Sequence, residues 1–166
     1  WNEFLKKPEK NSFLRLERIV SKKAKECTWG NSINAEVIPV QRGQQLYKII
    51  ANGNEFALRA GLLVLQCLDG GEREDFYRSA GLFFEKHPKL FIKITEENTI
   101  SSIDIKYMLV SLPLDTTDDI DRAIYIVDKR IELLSKIEES SLNKIKYMAL
   151  ESLKEQKKAF TTIGGD

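Results

Sequence analysis

The side chains with the most chemical potential are few. His87 is the chain's single histidine, so a metal site built from several imidazoles is excluded, and any nucleophile–histidine pair would have to use this one ring. It precedes Pro88, where one helix should end and the next begin, and no nucleophile elbow accompanies it. A protonated imidazole at that place complements the negative end of a helix dipole, so a structural role is expected. Asp115, Asp118, Asp119 and Asp121 crowd one stretch, but without the alternating oxygen ligands and central glycine of a calcium loop. Carboxylates at a helix start are favoured on electrostatic grounds, and these are read that way. Asp69-Gly70-Gly71-Glu72 and Gly53 supply turns; no Lys-Ser or Lys-Thr pair follows a glycine run, as a phosphate-cradling loop requires. The expectation is no catalytic residue, no cofactor and no metal ligand.

Cys27 and Cys67 are the chain's two cysteines, too few for a disulfide scaffold or a structural zinc site. Both fall on apolar helical faces and are expected as buried thiols acting as small hydrophobes. A single disulfide is the alternative in an exported protein. The chain begins at Trp1 rather than Met, which leaves open both a removed targeting segment and a trimmed terminus.

The one concentrated charge feature is basic. Arg15, Arg18, Lys22 and Lys25 recur at helical spacing opposite an apolar face of Phe13, Leu16, Val20, Ala24 and Cys27. Residues 1–26 hold eight basic and four acidic side chains. Such a stripe is ordinarily a solvated face; its functional alternatives are contact with an acidic partner protein and, after that, with nucleic acid or anionic lipid. The formal net charge of +1 argues against a chain built wholly around nucleic acid or an anionic membrane.

The elements that would position these residues read as helices throughout. Composition is that of a soluble globular domain, 42% hydrophobic and 31% charged, with only 9 Gly and 4 Pro to make turns. Asn11 or Ser12 should cap the first helix, and Thr28 to Gln41, broken by Gly30 and Pro39, should be a long irregular loop. Helical hairpins follow over 42–112: Gln44 to Ala51; Glu55 to Leu68, apolar almost all round and so the most buried helix; and Glu72 to Lys86. Leu90 to Thr95 suits either a strand or a short helix, with the helix preferred. A helix capped by Ser101 or Ser102 then runs to Leu112, before Pro113. Over 113–160 a long hairpin is expected: one helix capped by Thr116 or Thr117 with a seam of Ile120, Ile124, Val127, Ile131 and Leu134, and another from Leu142 to Phe160. Residues 161–166 read as a tail. The whole is one all-α domain.

Ala60-Gly61-Leu62 and Ala80-Gly81-Leu82 stand twenty residues apart, each inside a helical run. Glycine costs roughly 1 kcal/mol against alanine there, so both should mark a close approach of neighbouring helices. With the stretch from Gly53 to Ala60 and the Asp69-Gly70-Gly71 turn, residues 42–97 resemble HEAT-like helical-hairpin units. They are also similar to short helical domains of small uncharacterised bacterial proteins, many of them exported. The resemblance implies an α-α superhelical scaffold that binds another protein without catalysis, with an exported or periplasmic location.

An immunity-type inhibitor docking on a bacterial toxin is a narrower form of the same reading. The rival class is a helical hydrolase or small-ligand-binding protein, for which Glu55, Arg59 and Tyr77 are candidate polar residues.

Overall fold

The computed structural model describes residues 1–27, 37–116, 118–138 and 143–163. Among these the secondary structure is helical: α1 (Asn2–Lys6), α2 (Lys10–Ala24), α3 (Val40–Ala51), α4 (Glu55–Leu63), α5 (Gly70–Lys86), α6 (Pro88–Glu97), α7 (Ser102–Val110), α8 (Ile120–Ser135) and α9 (Asn143–Ile163), with 3-10 turns at Leu65–Cys67 and Leu114–Thr116. The all-α single domain read from the sequence is the fold observed. Leu90 to Thr95 lies within α6, with Pro88 in its first turn, where a missing N–H costs nothing.

The starts of α4, α5 and α7 follow short polar side chains that accept from exposed backbone donors. Asn54 Oδ1 accepts from Ala57 N at 2.9 Å, Asp69 Oδ1 from Glu72 N at 2.9 Å, and Ser101 Oγ from Asp104 N at 3.1 Å. Several expected boundaries move. The caps proposed at Asn11 or Ser12 and at Thr116 are replaced by Glu9 and Asp119. Ser12 instead accepts from the Glu9 backbone N–H, and Asp119 accepts from Arg122 N at 2.9 Å. Thr117 lies outside the described residues. The chain before Lys10 is helical too, as the short α1, and Val40 rather than Arg42 or Gln44 opens α3. Of the irregular loop, residues 28–36 lie outside the described set, as do the Ser140-Ser141 link and residues 164–166 of the expected tail. Thr161 to Ile163 continue α9.

The expected helix over Glu55 to Leu68 stops at Leu63. Beyond it Val64, Leu65, Cys67 and Leu68 are all buried, and a continuing helix would turn some of them away from the core. The chain tightens into a 3-10 turn that sends each inward, and the Leu65 carbonyl accepts both from Leu68 N at 3.3 Å and from Arg73 Nη2 at 3.0 Å. Leu62 is 6% exposed, so the central burial expected of this segment holds.

Packing runs in a row: α3 lies on α5, α5 on α7, and α7 on α9, while α2 covers α4 and α6 and α8 back onto α5. The row encloses one core of Leu46, Ile50, Leu58, Phe76, Phe83 and Met108. Helices α8 and α9 are antiparallel, because Lys157 reaches Asp128 and Lys146 reaches the Ile137 carbonyl. The two glycines of the echo both mark close approaches, Gly61 of α4 to α5 and Gly81 of α5 to α7 and α8. A Cβ on Gly61 would overlap Phe76 Cε2, and one on Gly81 would stand 2.7 Å from both the Met108 carbonyl oxygen and Arg130 Nη2.

Cys27 and Cys67 are joined, which corrects the expectation of two free thiols. The bond ties the chain leaving α2 to the turn that ends α4, two segments already packed together. Apolar faces at both cysteines correctly indicated burial but could not say that they share one neighbourhood.

Candidate functional site

Helix α2 lays Leu16, Val20 and Ala24 into the core and turns its charged face outward. Arg15, Arg18, Lys22 and Lys25 are all exposed there, in the company of Ile19 at 73% exposure. Arg15 pairs with Glu3 of α1 at 2.5 Å, so one of the four expected free cations is neutralised. Arg18, Lys22 and Lys25 have no carboxylate partner among the described residues.

The charge around this face is part of a larger asymmetry. Residues 1–51 carry ten Lys and Arg against five Asp and Glu, whereas residues 52–166 carry sixteen against twenty. A near-neutral total therefore conceals a basic N-terminal third, a surplus of five, and an acidic remainder, a deficit of four. In the remainder several cations are held by carboxylates, among them Arg78 by Glu74 and Asp75, Arg122 by Asp115, Lys136 by Glu132 and Lys157 by Asp128.

The most buried polar cluster is one that sequence reasoning missed. Arg130 of α8 is completely enclosed. Its Nε donates to Glu85 Oε1 at 2.9 Å, and its Nη1 donates to the carbonyls of Leu109 at 3.0 Å and Ser111 at 2.7 Å. Nη2 lies 2.9 Å from the same carboxylate oxygen without hydrogen-bond geometry, so that contact is Coulombic. Lys129 Nζ reaches the other oxygen of Glu85 at 3.2 Å. Burial lowers the Arg130 pKa and Glu85 opposes that shift. The guanidinium thereby closes the C-terminal carbonyls of α7 and pins three helices, an arrangement that faces the protein's own backbone.

Of the rival candidates, Glu55 and Arg59 do meet. Arg59 bonds to Glu55 at 3.0 Å and to Glu97 at 2.8 Å. Burial works against its charge, but hydrogen bonds to Glu97 and Glu55 outweigh it and raise the pKa. Tyr77 is elsewhere: its hydroxyl donates to Asp104 Oδ1 at 2.5 Å, Ser101 donates to the other oxygen at 2.6 Å, and its ring stacks on Tyr107. Burial first, then the Asp104 contact, raises the phenol well above its ordinary range. The three residues do not form one site.

His87 is exposed and sits between α5 and α6, its ring against Phe83. Asp115 pairs with Arg122 and Asp119 caps α8. No group of three or more His, Cys, Asp or Glu side chains that could hold a metal ion occurs among the described residues. Nor is any of their helices long and apolar enough to cross a membrane. Comparison with known proteins finds no matching family model, no matching curated protein and no matching solved structure.

Proposed function

We propose that the protein is a non-enzymatic, HEAT-like helical domain that binds another protein, and that the outward face of α2 receives an acidic partner. The observation that carries this reading is the set of Arg18, Lys22 and Lys25, exposed on one helix face around Ile19 with no carboxylate partner among the described residues. A solvent-facing apolar side chain ringed by unneutralised cations suits a partner with a carboxylate rim and an apolar centre. The alternation of packed helices along the α3–α5–α7–α9 row supports the scaffold part of the proposal. The Cys27–Cys67 bond supports an oxidising, exported or periplasmic setting.

The test replaces Arg15, Arg18, Lys22 and Lys25 together by Gln. Partners recovered with the wild-type chain at low salt should be lost with the variant and released from the wild type by added salt, while the melting temperature stays within a few degrees. Recovery of the same partners by both chains at low salt would sink the proposal.

A further inference from the structure

A second basic feature lies apart from the α2 face, in an open cleft of about 580 Å³ between α1 and α3. We infer that this cleft is a binding site for a small amphiphilic anion: a carboxylate or phosphate carried on an apolar stem. Helix α3 repeats Arg42, Gln45 and Ile49 along one face, with Lys48 beside them, and α1 brings Leu5 and Lys6 to the opposite wall. Leu5 and Ile49 are half-buried against the core and form an apolar floor. Lys6, Arg42 and Lys48 supply three cations, and none of the lining residues is a carboxylate. None of these three cations has an ion-pair partner among the described residues.

Three like charges gathered around one hollow repel each other, whereas Arg78, Arg122 and Lys157 each have a carboxylate at hand. Lys48 also borders the neighbouring cleft that contains Asp75 and Asp115, yet those two are engaged by Arg78 and Arg122. Among the described residues no carboxylate relieves the repulsion, and a bound external anion would do so. An Arg fork with two Lys point charges suits a carboxylate or phosphate head, and the Leu5–Ile49 floor suits a short alkyl or aryl stem.

The test titrates the intact protein with octanoate and with octyl phosphate, below micelle formation, and reads backbone amide shifts. Saturable shifts confined to α1 and α3 are expected for at least one of them. Preference for octanoate would assign a carboxylate ligand, and preference for octyl phosphate a phosphate ligand. Octanol, lacking charge, and inorganic phosphate, lacking a stem, should each bind at least about tenfold more weakly. Arg42→Gln/Lys48→Gln, or Lys6→Gln if the double variant is unstable, should weaken binding by about tenfold or more, and added salt should do the same.

The inference is overturned if neither amphiphile gives saturable local shifts, if octanol or phosphate binds as well, or if the folded variant keeps full affinity. Arg18, Lys22 and Lys25 lie outside the cleft, so failure here leaves the α2 proposal standing, and the reverse also holds.

Discussion

At Gly81 the obstacle to a side chain is partly backbone. The Met108 carbonyl oxygen that a Cβ would approach to 2.7 Å belongs to α7 and cannot swing aside as a side-chain end can. Gly81→Ala should therefore destabilise by roughly 1–3 kcal/mol in urea unfolding, despite alanine's better helix propensity; a stabilised variant would contradict the packing. The Arg130–Glu85 pair calls for a two-part test. Glu85→Ala leaves a buried guanidinium with only carbonyl partners and should cost roughly 3–5 kcal/mol, whereas Arg130→Met with Glu85→Leu should recover much of it. The tyrosines separate cleanly. Tyr47 has a buried hydroxyl without a hydrogen-bond partner, so Tyr47→Phe should be neutral or stabilising by up to about 1 kcal/mol, while Tyr77→Phe, which loses the Asp104 bond, should cost about 1.5–3 kcal/mol. Burial, aided by Glu72, Asp75 and Asp69, raises the Tyr47 pKa. That contribution is intact below the unfolded phenol pKa of about 10 and fades above it, because the unfolded chain ionises first. Alkaline unfolding followed by circular dichroism should accordingly become shallower in Tyr47→Phe.

At the scale of elements, the Cys27–Cys67 bond closes a loop of 40 residues and joins the ends of α2 and α4. Cys27→Ser/Cys67→Ser should lower stability by roughly 3–4 kcal/mol through the freer unfolded chain, read as a fall in melting temperature; an unchanged value would show that packing alone sets this corner. Much of the helical plan is legible from local signals, because caps such as Ser101 and breakers such as Pro88 act within one turn of themselves. The α8 register was only partly legible. The apolar seam Ile120, Ile124, Val127, Ile131, Leu134 is the natural periodic reading, yet Ala123, Ile126, Val127, Arg130 and Leu134 face inward. The helix is rotated toward a buried cation whose partner lies 45 residues earlier, and no periodicity argument places a guanidinium in a core. For the same reason α1 was missed: five residues are too few to show a period, and Phe4 is held by packing rather than propensity. The α2 stripe was legible because its cations share one helix, while the Lys6–Arg42–Lys48 cleft joins two helices that the sequence separates.

For the molecule as a whole, the distribution of charge rather than its total should govern behaviour toward other charged surfaces. At distances comparable with the Debye length, about 10 Å at 0.1 M salt, an approaching surface feels the nearest face and little of the opposite one. A chain of net charge +1 should thus adhere to a sulfonated cation exchanger at neutral pH more strongly than its total suggests. Two variants of equal net charge isolate the effect. Replacing Arg15, Arg18, Lys22 and Lys25 by Gln removes four positive charges from the α2 face, whereas replacing the exposed Lys89, Lys93, Lys154 and Lys158 by Gln removes four from the acidic remainder. Both lower the formal charge from +1 to −3. The second variant keeps the basic surplus of the N-terminal third and should elute at distinctly higher salt than the first. Exposed charges contribute little to folding, so matched melting temperatures would exclude unfolding as the cause. Co-elution of the two variants would mean that the basic face presents no field beyond the net charge, and electrostatic steering of an acidic partner toward α2 would lose its physical basis.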